Sequence, residues 1–236
     1  MAVINGDTVL QSSVLEDLSD AVNYQRWLAD LARPYLGDEP LEIGSGIGDY
    51  AALWLPDVRH FTATEGDPQR LQSLRERFAE EPRVTVQRLL LPSRETASHS
   101  SVVALNVWEH IDDHVGALIS AKGLLRPGGA VALVVPAFEA AMSRFDREIG
   151  HVRRYTTGSM AQALNAAGLE IEELRYVNPV GLISWMVVCK MLRQRPKNGL
   201  MLRTYDRMVV PMLRKAERGR KPPFGQSVFA VGRKPV

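Results

Sequence analysis

The sequence has a single cysteine, Cys189, among its 236 residues. One thiol cannot form an internal disulfide or a multi-cysteine zinc site, and such a chain fits a reducing, cytoplasmic compartment. Long hydrophobic runs are also missing. The longest, VGLISWMVVCKML at 180–192, contains a lysine and is shorter than the roughly 20 residues that a membrane-spanning helix needs. The first residues have neither a basic start nor an apolar core of signal-peptide length, so we expect no export signal.

A strong net charge is absent as well. The 29 basic and 27 acidic side chains leave a net charge of +2, and the basic residues gather late, in 191–197 and 213–223. This pattern favours a locally basic surface over a nucleic-acid-binding protein, so we expect no nucleic-acid partner. Apolar side chains, in contrast, make up 45% of the residues, which is ample for a packed core.

Short apolar runs alternate with longer segments of helical period over the first two thirds of the chain. This alternation is typical of repeated strand–helix units around a parallel sheet. We predict strands near 40–44, 60–64, 83–87, 101–106, 130–135, 169–177 and 227–234. We predict helices near 14–33, 47–54, 68–80, 113–125 and 157–167, and a mostly helical segment at 179–218.

A glycine-rich loop follows the first predicted strand, in LEIGSGIGDY at 41–50. Glycines there leave the backbone N–H groups uncovered at the positive end of the next helix, where a polar or anionic group binds well. The second strand ends with Glu65, 21 residues after Gly44. In a doubly wound sheet a carboxylate at that position accepts hydrogen bonds from ribose hydroxyls. Loop and carboxylate together predict a nucleoside-containing cofactor.

The glycine spacing indicates which nucleoside. A dinucleotide loop reads G-x-G-x-x-G beside a pyrophosphate, whereas here the spacing is G-x-G-x-G and the next residue is Asp49. An acidic side chain repels a diphosphate, but it tolerates a cofactor whose amino-acid tail carries an ammonium group. The charges of Glu42 and Asp49 therefore favour S-adenosylmethionine over NAD.

Four motifs occur in order: LEIGSGIGDY, TATEGDP, LNVWEHIDD and LLRPGG. Over roughly residues 24–178 the chain resembles the class I S-adenosylmethionine-dependent methyltransferases, especially the small-molecule branch related to quinone and sugar methyltransferases. The resemblance implies an α/β fold: a doubly wound, Rossmann-like, seven-stranded and mostly parallel sheet of order 3-2-1-4-5-7-6, with an antiparallel last strand. We expect one methyltransferase domain over 1–236. Its parts are a helical cap (1–36), a cofactor-binding core (37–178), a helical insertion (179–223) and a closing strand (224–236).

The resemblance also implies a cofactor site. Glu42 and the loop glycines would line the methionine part, Glu65 would bind the ribose, and Gly66 and Asp67 would lie beside the adenine. The acidic residue that such enzymes often carry after the third strand is missing from QRLLLPS (87–93), so backbone near Leu90 is expected to contact the adenine. The predicted cofactor site comprises Glu42, Gly44, Ser45, Gly46, Gly48, Glu65, Gly66, Asp67, Leu90, Asn106 and Val107.

The methyl acceptor is expected outside the carboxyl ends of the fourth and fifth strands. Histidine suits removal of a hydroxyl proton, because its ordinary pKa is about 6.5. Two histidines qualify: His110 in WEHIDDH and His151 in GHVRRYT, a segment that would cover the acceptor. The predicted catalytic residues are His151, His110 and Tyr155, and the predicted acceptor-binding residues are Trp108, Phe138, Arg153 and Arg154.

Several alternatives stay open at this point. His110 and His114, with Asp112 and Asp113, have metal-ligand spacing, but the two aspartates are equally explained as helix caps, so we predict no metal. The late insertion forms core packing, a homodimer face, or an amphipathic surface in contact with lipid. The predicted function is methyl transfer to a small-molecule acceptor at oxygen. The rivals are an NAD-dependent reductase and a non-catalytic cofactor-binding protein.

Overall fold

A computed structural model describes residues 21–192 and 199–236, and in this part of the chain seven strands form one sheet. They are β1 Pro40–Ile43, β2 Phe61–Thr64, β3 Val84–Gln87, β4 His99–Leu105, β5 Leu125–Pro136, β6 Glu170–Val177 and β7 Ser227–Arg233. Their order is β3-β2-β1-β4-β5-β7-β6, with β1 to β5 parallel and β7 antiparallel to both of its neighbours. The predicted order and the predicted antiparallel last strand are confirmed.

Helices flank both faces of this sheet. They are α1 Val22–Ala32, α2 Asp49–Trp54, α3 Pro68–Arg77, α4 His114–Gly123, α5 Arg144–Glu148, α6 Thr157–Ala166, α7 Pro179–Trp185, α8 Leu200–Thr204 and α9 Val210–Ala216. Wider π-helical turns extend α7 through Met186–Met191 and join α8 to α9 through Tyr205–Val209. None of the helices in the described ranges is long and apolar enough to cross a bilayer.

Two apolar cores lie on opposite faces of the sheet. Successive residues of the central strands alternate between them, since side chains along a strand point to opposite faces. In β4, for example, Val102 and Ala104 belong to one core and Val103 and Leu105 to the other. β1 and β2 are buried on both faces, as the inner strands of a parallel sheet usually are.

Three predicted boundaries differ from the structure. β5 begins at Leu125, not near 130, because Leu125 already pairs with His99 before a register shift. α2 begins at Asp49, not 47, because Gly48 has a left-handed φ of +89° and ends the glycine loop. The predicted first helix is observed from Val22, and its part at 14–20 lies outside the described residues.

The helical insertion is joined to the core by buried carboxylates. Asp206 accepts hydrogen bonds from the backbone N–H groups of Asn23 (3.0 Å) and Tyr24 (2.8 Å), in the first turn of α1. This helix has no side-chain cap of its own, so a residue far away in the sequence satisfies its unpaired donors. Glu217 accepts in the same way from the backbone of Asn178, directly before α7 (3.0 Å). The helical character predicted for 179–218 is confirmed in its described part.

Candidate active site

One large cavity, of about 1430 Å³, opens at the carboxyl ends of the parallel strands. The loops after β1, β2, β3 and β4 form its floor and sides, and α7 and α8 cover it. Eight of the predicted cofactor residues line it: Gly44, Ser45, Gly46, Glu65, Gly66, Leu90, Asn106 and Val107. The cavity lies where an open α/β sheet binds its ligands, at the strand ends beside the switch in strand order.

The glycine loop needs its glycines for two different reasons. Gly44 has φ +70°, and a Cβ atom there would lie 2.7 Å from Cγ2 of Val107, so a side chain would both strain the backbone and fill the cavity floor. Gly48 has φ +89°, and its Cβ would lie 2.5 Å from Cε2 of Phe78 on the far side of the loop. Gly44 therefore leaves room for the Val107 side chain beside the cavity, and Gly48 leaves room for Phe78 in the core.

Glu65 is buried at the tip of β2 and is held by backbone donors. Its Oε1 accepts from the N–H groups of Gly66 (2.8 Å) and Asp67 (2.9 Å), and its Oε2 accepts from Gly46 (2.9 Å). Arg70 also reaches Oε1, at 3.4 Å. Oε2 thus has a single donor among the described residues and retains a lone pair for a ligand hydroxyl. The Glu65 carboxyl is therefore held in place and accessible from the cavity.

Three predicted cofactor residues do not line the cavity. Asp67 caps α3 by accepting from Gln69 (3.0 Å) and Arg70 (2.9 Å), and Gly48 packs against Phe78. Glu42 lies within β1 with only 1% of its surface exposed, and burial raises its pKa to about 8. These residues support the loop from beneath, so any action of Glu42 on a bound ligand passes through the loop.

Asp49 lies at the cavity edge but its carboxylate is already paired. Arg77 of α3 donates to it at 2.6 Å, and the same guanidinium donates to the carbonyl oxygen of Ile47 at 2.7 Å. Because Arg77 neutralises the charge of the Asp49 carboxylate, Asp49 repels a diphosphate less than the sequence predicts. Leu89, Leu90 and Leu91, which follow β3, form an apolar wall of the same cavity that has no acidic side chain.

His151 is oriented by a buried carboxylate. Its Nδ1 lies 2.8 Å from Oδ1 of Asp146, and the Arg154 guanidinium and the Ser143 hydroxyl also bind Asp146, at 2.7 Å each. Burial opposes the charge on Asp146, but His151, Arg154 and Ser143 together hold the pKa of this carboxyl well below its usual range. An ionised Asp146 only accepts hydrogen bonds, so Nδ1 of His151 donates to it and Nε2 is the ring nitrogen left for a ligand.

Glu109 lies beside Nε2 of His151, and no role was predicted for it. Its Oε1 lies 3.7 Å from Nε2 of His151, the side chain is fully buried, and neither carboxylate oxygen has a hydrogen-bond partner among the described residues. Burial raises its pKa to about 7, although the nearby His151 opposes the rise. An unsatisfied buried carboxyl lining a cavity is costly unless a ligand or proton meets it, which marks it as a functional group.

His110 lies beside His151, with ring centroids 4.7 Å apart. Burial, with a smaller effect of His151, lowers the pKa of His110 to about 3, so it stays neutral at physiological pH. A ring of such low basicity is a poor proton acceptor. Of the two predicted bases, His151 is oriented by a hydrogen bond to Asp146, whereas the low pKa of His110 makes it a weak base.

Four predicted site residues lie away from the cavity lining. Tyr155 is buried under the site, where its hydroxyl lies 3.2 Å from Nδ1 of His114 and 3.3 Å from the Trp108 carbonyl oxygen. Trp108 is core, Phe138 stacks on Tyr176, and Arg153 donates to backbone carbonyls at 111 and 112. The predicted direct roles of Tyr155, Trp108, Phe138 and Arg153 at the acceptor are corrected to supporting ones. Each is placed by local packing that the motif does not reveal.

Arg154 does line the cavity, but its guanidinium is engaged. It donates to Asp146 and to the Ala137 carbonyl oxygen (3.1 Å), and it stacks over Trp185 at 4.9 Å. The alternative metal-ligand spacing of His110, His114, Asp112 and Asp113 does not form one cluster among the described residues. His114 pairs with Tyr155, and the potential ligand atoms that lie within 4.8 Å of one another in the described ranges belong to Glu109, His110 and His151.

This site can be compared with known proteins. Residues 41–131 match the family model of the methyltransferase domain. The match covers less than half of the chain and is a likeness of this part to that domain. No curated protein sequence matches the chain. The matched range includes the glycine loop, Glu65, Glu109 and His110, and ends inside β5, so the Asp146–His151 pair lies beyond it.

Solved structures share the fold of this chain at low sequence identity. The N-methyltransferase NodS of Bradyrhizobium japonicum, in complex with S-adenosyl-L-homocysteine, is 14% identical with a TM-score of 0.59, covering 94% of this chain and 91% of its own. A Mesorhizobium loti S-adenosylmethionine-dependent methyltransferase is 15% identical (TM-score 0.59; 87% and 95% covered). The [4+2]-cyclase SpnF is 16% identical (TM-score 0.62; 100% and 98% covered). The likeness identifies the fold, and the cyclase shows that this fold does not fix the reaction.

Proposed function

We propose that the protein transfers a methyl group from S-adenosylmethionine to the hydroxyl oxygen of a small-molecule acceptor, with His151 as general base. The observation that carries this proposal is the Asp146–His151 pair, which orients the ring so that Nδ1 faces Asp146 and Nε2 is left for the acceptor, in a cavity that the glycine loop also lines. A base on one side and a nucleoside site on the other is the arrangement that proton removal coupled to methyl transfer requires.

The residues present fit the cofactor. Glu65 has the free lone pair that ribose hydroxyls need, and Gly44 leaves open the floor that a side chain would fill. The leucines at 89–91 would lie against the adenine, and the bare loop at 44–46 against the methionine part. S-adenosylmethionine, when bound, supplies a methyl group that its sulfonium already activates.

The chain's own residues then handle the acceptor proton. Nε2 of His151 would accept the proton from the acceptor hydroxyl as that oxygen takes the methyl group that bound S-adenosylmethionine would supply, which would leave S-adenosylhomocysteine. Asp146 holds the ring and stabilises the imidazolium that forms. Glu109, 3.7 Å from Nε2, stabilises the same cation when it is ionised. The products are a methyl ether and S-adenosylhomocysteine.

The two rival functions have less support. An NAD-dependent reductase needs the dinucleotide glycine spacing, which the loop lacks. A non-catalytic cofactor-binding protein has no use for a buried, oriented histidine and an unsatisfied carboxyl in the same cavity. Both rivals leave the Asp146–His151–Glu109 arrangement without a purpose.

The test replaces the base and leaves the cofactor site intact. We expect His151→Gln to lower kcat for transfer of labelled methyl to a hydroxylated acceptor about 10²–10⁴-fold, the usual contribution of a general base. Affinity for S-adenosylhomocysteine, measured by titration calorimetry, should stay within about twofold of wild type. His99→Gln, on β4 away from the cavity, is the matched control. Absence of S-adenosylhomocysteine binding by the wild-type protein would contradict the proposal, as would undiminished turnover by His151→Gln.

A further inference from the structure

The insertion, residues 179–223, differs in charge from the rest of the chain. It contains eleven of the 29 basic side chains and two of the 27 acidic ones, a net charge of +9. The remaining residues carry eighteen basic and twenty-five acidic side chains, a net charge of −7. Both acidic side chains of the insertion, Asp206 and Glu217, are buried and bound to backbone N–H groups. The charge that the insertion presents to solvent is therefore positive.

Apolar side chains are exposed on the same helices. Ile183, Val187 and Met191 recur every fourth residue, as do Met208 and Met212, so each set lies along one face of its helix. Met191 is 72% exposed and Met212 is 73% exposed. On a helix at a protein surface, the apolar side chains normally face the core and the polar ones face water. A regular row of exposed, large apolar side chains is therefore unusual.

This apolar surface is continuous with the cavity. Ile183 and Val187 are both exposed to solvent and part of the cavity lining, so they form its rim. Leu202 of α8 lines the same cavity from the second helix of the insertion. The exposed stripe on α7 thus begins at the cavity entrance.

We propose that this surface, which we call the insertion face, docks on an anionic lipid bilayer. It comprises Ile183, Val187, Met191, Met208 and Met212, with the exposed basic residues Arg207, Lys215, Arg218 and Arg220. The apolar side chains enter the interfacial layer, and the basic side chains contact anionic head groups. A second copy of the chain is a poor occupant, because a two-fold interface would bring two positive insertions together.

Docking places the cavity entrance against the bilayer. If the proposed methyl transfer is correct, the acceptor is an amphiphile whose polar head reaches His151 and whose apolar part lies along the rim. This statement about the acceptor rests on the proposed function, whereas the docking does not. Vesicle binding without cofactor or acceptor therefore tests the docking alone.

The experiment is co-sedimentation of the full chain with vesicles of phosphatidylcholine, with and without added phosphatidylglycerol. We expect binding to the anionic vesicles that weakens as salt is raised. Arg207→Gln and Lys215→Gln should each reduce the partition constant about fivefold, the usual effect of one basic residue at an anionic membrane. The double variant Met191→Glu/Met212→Glu should abolish binding.

Matched controls change equivalent exposed positions elsewhere. Ile119→Glu on α4, which is 54% exposed, and Arg75→Gln on α3 should bind vesicles as the wild type does. Unchanged thermal melting and S-adenosylhomocysteine affinity would show that the insertion-face variants are folded. Lack of wild-type binding to anionic vesicles, or equal loss in the control variants, would overturn the proposal. The proposal would also be overturned if the wild type did not bind vesicles but formed a dimer that the double variant Met191→Glu/Met212→Glu dissociates. Vesicle binding without methyl transfer overturns only the proposed function.

Discussion

The cavity has two halves that are built differently. In the half we assign to the cofactor, backbone provides most of the recognition: N–H groups of 46, 66 and 67 surround the Glu65 carboxylate, and glycine keeps the floor open. In the half we assign to the acceptor, side chains from separate segments converge. Glu109 follows β4, while Asp146 and His151 come from the connection after β5.

The difference shows how each half tolerates change. Backbone recognition depends on a local conformation that few residues can adopt, so the cofactor half is specified within about twenty-five residues of sequence. The acceptor half depends on buried charges that balance one another, so the effect of each residue depends on the residues that it contacts. The cofactor half should therefore be sensitive to backbone strain and the acceptor half to charge.

The largest effect on cofactor binding is expected from Glu65→Gln. We expect S-adenosylhomocysteine affinity to fall about 100-fold, because about two charge-assisted hydrogen bonds, each contributing about 1.5 kcal/mol, are weakened or lost. Titration calorimetry measures the effect. Glu76→Gln on the exposed side of α3 is the control and should bind normally. If Glu65→Gln bound as tightly as wild type, the assignment of this half to the cofactor would be wrong.

Gly44→Ala should weaken cofactor affinity about 30-fold, or about 2 kcal/mol, because backbone strain of 1–3 kcal/mol is joined by a side chain in the cavity floor. Gly219→Ala is a closely matched control: its φ of +69° is almost that of Gly44 (+70°), but its Cβ would meet no heavy atom within 4 Å. The control should lower Tm and leave affinity unchanged. Equal affinities for the two variants would mean that crowding against Val107 is unimportant.

Glu109→Gln tests the acceptor half through pH. The wild-type kcat/KM should rise as pH increases through about 7, because the Glu109 carboxyl, whose pKa burial raises to about 7, becomes ionised and stabilises the His151 imidazolium. In the variant the part of the rise that Glu109 contributes should be lost, leaving activity at alkaline pH about tenfold lower, the effect of about one pKa unit. Glu95→Gln, at an exposed carboxyl, should keep the wild-type profile. An unchanged profile in Glu109→Gln would remove Glu109 from the mechanism.

Glu42→Gln tests stability rather than cofactor binding or turnover. Burial raises the pKa of Glu42 from 4.5 to about 8, so the folded state resists ionisation that the unfolded state accepts. The stabilising difference is fully present below pH 4.5 and is lost as pH rises towards about 8, at up to about 1.4 kcal/mol per pH unit. Urea unfolding of Glu42→Gln without cofactor should therefore show a flatter dependence on pH. A slope as steep as that of wild type would assign the loss to other groups.

The sequence predicted the fold well because the signals were local or periodic. Strand alternation, the glycine loop and the closing strand each depend on neighbouring residues, and the sheet order followed from the family resemblance. The start of β5 at Leu125 was missed, because a Pro-Gly-Gly sequence normally ends regular structure, while here the neighbouring strand pairs across it.

The site was predicted less evenly. The cavity contains most of the predicted cofactor residues, whereas Tyr155, Trp108, Phe138 and Arg153 face away from it. Asp146 and Glu109 were not selected, because carboxylates in charged stretches normally face solvent. Their roles depend on burial: Asp146 is buried in an ion pair with Arg154, whereas the buried carboxyl of Glu109 has no hydrogen-bond partner among the described residues. Burial of this kind is set by tertiary packing.

The hydrogen bonds from α1 to Asp206 give the insertion a structural duty towards the core. A truncated chain without residues 179–223 would leave the first turn of α1 with exposed donors and would remove the roof above Tyr24 and Gln25. The insertion therefore cannot be treated as a detachable accessory. If the insertion docks as proposed, Asp206 connects the docked helices directly to α1, which lines the cavity through Tyr24 and Gln25.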